Sequence, residues 1–247
     1  MRTERSLRTT TGSALRPVRR RPRWGLWSLL AVSAAVVGHA VPPYLTGDAG
    51  DAKVPIDPDV ALHYLSLAVH AVPGGLALVI GPLQFVPRLR ARRPGLHRAM
   101  GRVYLVSVVV ASAAAVFATA VTRGGFAVQV AFSLLVAAWL YTATMAYRCV
   151  RRGETGPHRI WMIRNYALTF AAATLRLYLL IGLLLKKTLI SGLDFDELYT
   201  ACVWASVLGN VLVAEYVIVQ RASAPARHRH SAGPATERGT HLAKSGG

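Results

Sequence analysis

Six long apolar segments constrain this chain more than any other feature of its sequence. Each is near or above the ~20 residues that a helix needs to cross a hydrocarbon core of ~30 Å. Backbone polar groups in lipid must be hydrogen-bonded within their own segment, so we predict helices rather than loops. The expected fold class is an all-α membrane bundle of six transmembrane helices. The segments span residues 24–45, 61–86, 103–121, 126–147, 160–185 and 198–219.

The composition agrees with this interpretation and excludes other classes of protein. Hydrophobic residues make up 53% of the 247-residue chain and charged residues only 16%, yet the net charge is +18. Apolar and basic residues must therefore be segregated along the chain. A disordered chain lacks so many apolar residues, and a nucleic-acid-binding domain spreads its basic residues over one folded surface. We therefore expect the lipid bilayer, and not nucleic acid, as the partner.

Arginine and lysine residues fall mainly on one side of the predicted bundle. Twenty-four of the 29 lie before the first segment, between segments two and three, between four and five with Arg164 at the start of five, or after the sixth. Because cytoplasmic loops are enriched in basic residues, both termini are predicted to be cytoplasmic, an N-in/C-in topology. The Ala- and Arg-rich composition is typical of a GC-rich bacterial genome, which would place the protein in the bacterial plasma membrane.

The two ends of the chain differ from its centre. Residues 1–23 and 221–247 are polar and rich in Arg, Thr, Ser and Gly. We predict that they form disordered cytoplasmic tails on either side of a transmembrane domain of residues 24–220. Basic tails beside a membrane attract anionic lipids at about 1 kcal/mol per charge. Anionic lipids at the cytoplasmic face are therefore a second expected partner.

Polar residues inside the predicted spans mark candidate sites, because such residues are costly in lipid. In two segments the polar and small residues lie on one helix face. In segment two these residues fall within about 60° of one direction around the helix axis. We expect both faces to point into the bundle. Arg176 has the highest predicted free energy of membrane insertion, since an arginine at the centre of a span costs about 2.5–3.5 kcal/mol on insertion scales. The two faces consist of His63, Ser66, His70, Gly74, Gly81 and Gln84 in segment two, and of Asn165, Thr169, Ala172, Ala173 and Arg176 in segment five.

Three of the polar residues lie at a similar predicted depth. At 1.5 Å per residue, His39, His70 and Arg176 are ~22–24 Å from the inner ends of their segments. Two histidines that face each other could ligate a b-type haem iron, with the arginine near a propionate. We therefore treat all three as candidate cofactor-binding residues, with His39 and His70 as the haem ligands. The alternative is a hydrogen-bonded polar cluster in the core.

A second set of residues lies at the predicted inner side, where segments three and five begin. Each segment opens with His-Arg followed by Met, Arg and Tyr at nearly matching offsets. Helix N-termini favour anions through free N–H groups and the helix dipole. The set could hold a phosphate, a carboxylate or a lipid head group, although Arg and Tyr are also ordinary interface anchors. Its members are His97, Arg98, Arg102, Tyr104, His158, Arg159, Arg164 and Tyr166.

Three motifs of the central region occur in a fixed order. They are GPLQF (81–85) downstream of His70, LHR and GRVY (96–98 and 101–104), and HRIWMIRNY (158–166) upstream of Arg176. In these motifs the chain resembles the bacterial predicted membrane proteins of the domain of unknown function 2306 family, over roughly residues 61–185. The resemblance implies a multi-pass membrane protein. It implies no established activity, so it assigns no catalytic residue.

Three functions stay open at this point. The first is a b-type haem or quinone-linked electron carrier that uses the polar site in the outer half of the bundle. The second is a small-molecule or lipid transporter. The third is a non-catalytic subunit that packs against another membrane protein. The sequence contains no P-loop, GxGxxG or HExxH motif, so it leaves open whether the protein is an enzyme.

Reporter fusions test the predicted orientation. Fusions after Asp51 and after Ser191 should read periplasmic, and a fusion after Arg152 should read cytoplasmic, because arginine-rich loops stay inside. A cytoplasmic signal from the fusion at Asp51 would contradict the N-in/C-in topology.

Overall fold

A computed structural model describes residues 24–52, 56–188 and 192–223 of the chain. These residues are helical or lie in loops and turns, and none of them is in a β-strand. The tail predicted for residues 1–23 lies outside the described residues, as does residue 224 onward of the second predicted tail. The helices are α1 (Trp24–Ala40), α2 (His63–Gln84), α3 (Pro87–Arg92), α4 (Pro94–Ala120), α5 (Phe126–Arg151), α6 (Thr155–Thr188) and α7 (Phe195–Ser223).

Five of the described helices are long and apolar enough to cross a membrane: α2, α4, α5, α6 and α7. Helix α1 is apolar but has only 17 residues. The membrane bundle is therefore supported, whereas a sixth span and the N-in/C-in orientation stay predictions. Several helices extend beyond the apolar segments. Helix α4, for example, begins at Pro94 rather than near residue 103, because proline suits the first helical turn and basic residues there can stay helical in the interface.

The core of the bundle is a ring of four helices, α2, α4, α5 and α6, closed by contact between α2 and α6. Helix α1 packs outside against α2 and α6, and α7 packs against α6 and α5. Loops of opposite character lie at the two ends. We call one the arginine-rich end, formed by the α2–α4 and α5–α6 connections. The other is the acidic end, which carries Asp48, Asp51, Asp57, Asp59, Asp194, Asp196 and Glu197.

A buried hydrogen-bond network joins three helices of the ring. The Asn165 amide donates from Nδ2 to the carbonyl oxygen of Trp139 and to Thr142 Oγ1, both at 2.8 Å. Its Oδ1 accepts from the Tyr104 hydroxyl at 2.7 Å. Thr169 Oγ1 accepts from Trp139 Nε1 and contacts the Tyr104 hydroxyl, each at 2.9 Å. The network satisfies polar groups that would otherwise be costly in the core, and it fixes how α4, α5 and α6 face one another.

A close contact holds α2 against α6. The Tyr166 ring lies directly over Gly81, where a Cβ atom would stand only 2.1 Å from the ring carbons. The Tyr166 hydroxyl donates to the Leu78 carbonyl at 3.2 Å and also bonds Ser33 of α1 at 3.0 Å. Small residues allow such close approach in membrane bundles. Gly81 and Tyr166 belong to two separate sequence motifs, so these motifs meet in the fold.

Replacing Asn165 tests the importance of the network. Asn165→Ala should lower the free energy of unfolding by about 1–3 kcal/mol, because it removes three hydrogen bonds to buried groups on α4 and α5. Asn210→Ala is the matched control, since Asn210 makes one bond to Thr174 in a partly buried position and should cost about 0.6 kcal/mol. Equal losses from the two changes, measured by denaturant unfolding in detergent, would contradict the central role of Asn165.

Candidate functional site

A cavity of about 260 Å³ lies inside the bundle, toward its acidic end. All helices except α3 contribute to its walls, which run from Tyr44 and His63 to Leu78 and Trp139 near mid-bundle. Most of the lining side chains are apolar or small. Among the polar ones are Tyr44, His63, His70, Thr119, Thr122, Thr169, Arg176, Tyr199 and Ser206. The cavity therefore combines an apolar wall with a few hydrogen-bonding groups, as small-molecule sites do.

Arg176 is the charged residue of the cavity wall. Its Nη1 donates to the carbonyl oxygen of Ala172, one turn earlier in α6, at 2.8 Å. In the described part of the chain it makes no ion pair; its electrostatic neighbours include Tyr44 and Tyr199. The residue is exposed and also borders the cavity. A guanidinium stays protonated in proteins and has five N–H donors. Arg176 therefore has donors left for a bound hydrogen-bond acceptor.

The two cavity histidines hold their protons on opposite ring nitrogens. His70 Nδ1 lies 3.0 Å from the Ala111 carbonyl oxygen, which can only accept, so Nδ1 carries the proton and Nε2 has a lone pair. His63 Nδ1 accepts the backbone N–H of Asp57 at 2.9 Å, so in the neutral ring the proton is on Nε2. The cavity therefore offers one imidazole acceptor at His70 and one imidazole donor at His63.

An ion pair between two loops lies next to His63 at the acidic end. Arg123, after α4, contacts the Asp57 carboxylate through Nη2 at 2.9 Å and donates to it from Nε at 3.2 Å. The Arg123 guanidinium holds the pKa of the Asp57 carboxyl below its usual range, so the pair persists through neutral pH. The same Asp57 donates its backbone N–H to His63. The pair thus links the α4–α5 loop to a cavity residue.

The structure brings together two of the three predicted cofactor residues. His70 and Arg176 line the same cavity and are close enough to interact electrostatically. His39 is exposed on α1 and is not among the cavity residues, whereas its neighbours Val36, Val37 and Ala40 are. The predicted pairing of His39 with His70 across one site is therefore not what the fold presents. His39 lies on a different face of α1 from these three residues, because residue counting predicts depth along a helix but not its rotation.

Four of the eight residues predicted for an inner anion site are hydrogen-bonded or ion-paired to other helices, and the other four lie at the arginine-rich end. Tyr104 and Tyr166 are buried in the bundle and hydrogen-bonded to other helices, because a phenol hydroxyl in the core needs a partner. Arg164 is neutralised by a bidentate ion pair with Glu215 of α7, at 2.6 and 2.9 Å. His158 donates from Nδ1 to the Ala146 carbonyl at 2.8 Å. The remaining members are less buried and lie at the arginine-rich end: His97, Arg98, Arg102 and Arg159.

Sequence reasoning missed several residues that the fold makes important. Tyr44 and Tyr199 border the cavity, but neither lies on a recognisable polar helix face. Glu215 lies in the sixth apolar segment, where the sequence shows no partner for it. An ionisable residue inside a span requires one, so the signal for its pairing with Arg164 was present. His63 was assigned to the polar face of segment two, but its contact with Asp57 depends on the loop.

Comparison with known proteins supports the assignment to a family. Residues 67–218 match the model of the predicted membrane proteins with a domain of unknown function (DUF2306). The chain belongs to this family. The match covers the ring α2, α4, α5 and α6 together with most of α7, except for the first turn of α2. No curated protein and no solved structure matches the chain significantly.

Arg176 and Arg164 should respond oppositely to removal of their charge. Arg176→Leu should leave the melting temperature unchanged or raise it, because no carboxylate depends on Arg176 in the described structure. Arg164→Leu should lower the melting temperature, because it leaves the Glu215 carboxylate unpaired at a cost of about 1–3 kcal/mol. Thermal unfolding in one detergent compares them. A larger loss for Arg176→Leu would mean that Arg176 supports the fold.

Proposed function

We propose that the protein is a multi-pass membrane protein that binds a small quinone in the cavity at the acidic end of the bundle. The observation that supports this most is that one largely apolar cavity holds two histidines and a guanidinium that forms no ion pair with the described residues. Such a site suits a ligand that is mostly apolar and carries hydrogen-bond acceptors. It also accounts for the cost of placing Arg176 inside a span.

A quinone head group matches these donors and walls. Its two carbonyl oxygens accept hydrogen bonds, and its ring is flat and apolar. The Arg176 guanidinium and the His63 Nε2–H are the donors that this proposal assigns to the carbonyls. Trp139, edge-on to His70 with ring centroids 6.4 Å apart, supplies an aromatic wall. Electron transfer would follow from binding: oxidation of the quinol form would pass two electrons to an electron-accepting partner protein and release two protons, one to the lone pair of His70 Nε2 and one to water.

Cavity size and geometry favour a quinone ring over a haem. About 260 Å³ is just below the range of ~300–1,000 Å³ typical of small-molecule sites, which suits a single ring better than a macrocycle. A haem would keep only His70 of its two predicted ligands. That ligation is still chemically possible, because a histidine that donates its Nδ1–H to a carbonyl presents Nε2 to a metal.

A transporter for a small anionic molecule or lipid is the second candidate. The observation in its favour is that Arg176 is exposed while lining the cavity, so an anion could reach its charge. For this function the cavity must also open toward the arginine-rich end in another conformation.

Quinone binding can be measured on the purified protein in nanodiscs. A water-soluble naphthoquinone should quench tryptophan fluorescence in a saturable way, and Trp139→Phe should remove most of the saturable part, because Trp139 lines the cavity. Arg176→Gln should weaken the apparent affinity by about ten-fold, the effect of losing one charged hydrogen bond. Arg159→Gln is the matched control, since this exposed arginine lies at the other end, and it should bind like wild type.

Two results would replace the proposal. A Soret band in protein expressed with ample haem, lost in His70→Ala, would assign a haem to the cavity. Uptake of an anionic solute into vesicles that depends on Arg176, without saturable quinone binding, would favour transport.

A further inference from the structure

A second polar cluster lies at the opposite, arginine-rich end, where α2 ends and α4 begins. Gln84, the last residue of α2, is only 6% exposed, yet its Nε2 has no hydrogen-bond partner in the described structure. His97, in the first turn of α4, likewise has a buried Nδ1 without a partner. Buried polar groups in native proteins are almost always satisfied, so two orphan atoms at one helix junction need an explanation.

The two orphan groups share one face of α4. The Gln84 amide oxygen packs against Gly101, 3.4 Å from where a Cβ would stand. His97 lies four residues, or about one turn, before Gly101, so it is on the same side of the helix. His158 of α6 and Arg90 of α3 are close enough to His97 to influence it electrostatically. Parts of four helices therefore converge on this junction.

The electrostatics of the junction favour an anion. The exposed arginines around it include Arg90, Arg98, Arg102 and Arg159. Within the described residues none of these four forms an ion pair. Helix α4 is 27 residues long, and its N-terminal dipole adds positive potential at this point. An acceptor with several oxygens could satisfy both orphan groups and the positive charge together.

We infer that a phosphate-type anion binds at the junction of α2 and α4, held by Gln84, His97 and Arg90. Gln84 Nε2 and His97 Nδ1 each donate to a phosphate oxygen, and Arg90 supplies charge from α3. This site is distinct from the cavity, which lies toward the acidic end, so it does not rest on the proposed quinone binding. The phosphate belongs either to a lipid head group or to a free phosphate ion.

Thermal unfolding of the full chain distinguishes these sources, because a ligand that binds only the folded state raises the melting temperature with its concentration. One arm titrates inorganic phosphate in detergent, against sodium chloride at equal ionic strength. The other compares nanodiscs of phosphatidylcholine with nanodiscs that also contain phosphatidylglycerol. A rise with phosphate identifies a site for the free ion. A rise with phosphatidylglycerol alone identifies a lipid head group.

Variants test whether the response comes from this junction. Gln84→Leu removes the orphan donor without adding bulk, and Gln84→Glu repels an anion. Both should shift the midpoint of the phosphate titration at least ~ten-fold, or remove most of the rise with phosphatidylglycerol if the source is a lipid. Gln129→Leu is the matched control, since Gln129 is half-buried and bonds the Ala120 carbonyl at the acidic end. His97→Gln gives a further test if a Gln84 variant fails to fold. No rise in either arm, or an equal rise in the control and in the Gln84 and His97 variants, would overturn the inference.

Discussion

The amide of Asn165 is the interaction on which the rest of the bundle depends. Both of its nitrogen hydrogens and its oxygen are used, and they reach α4 and α5 from α6. Because an unpaired amide is costly in a core without water, this geometry fixes the rotation of α6. Arg176 is eleven residues later, about 20° away around the same helix. Thr169 belongs to both the network and the cavity wall. The network that holds the helices together therefore also directs the arginine toward the cavity.

The two ends of the bundle differ in which polar groups are charged and which are buried. At the acidic end a loop ion pair, Asp57 with Arg123, adjoins an apolar cavity that Arg176 lines with its charge. At the arginine-rich end the charges are mostly exposed, and Gln84 and His97 have buried nitrogen atoms with no partner among the described residues. A cation in an apolar cavity suits a membrane-soluble ligand with acceptor oxygens. Neutral donors beneath a cationic surface suit an anion that arrives from the membrane surface.

Much of the architecture could be predicted from sequence, because the bilayer imposes length and hydropathy on every span. Helical periodicity alone places six polar or small residues of α2 on one side. The structure buries His63, Ser66, Gly81 and Gln84, and it leaves His70 and Gly74 half-buried at the cavity. The candidate sites were predicted less completely. Residue counting assigned His39 and His70 one depth, but counting gives no direction, and the packing of α1 leaves His39 exposed and outside the cavity lining. Tyr104 was expected at an interface, but it is a member of the buried network.

The sequence by itself determined that this protein is a helical membrane protein. It also determined which segments carry a polar face, and that Arg176 needs a polar environment. These properties follow from local composition and the 3.6-residue period, which act within one helix. Only the tertiary structure decided that Arg164 pairs with Glu215, that Gly81 receives the ring of Tyr166, and that His70 shares its cavity with Arg176 but not with His39. Each of these depends on the relative rotation of two helices, which is set by the sum of many packing contacts and is not encoded in any single segment.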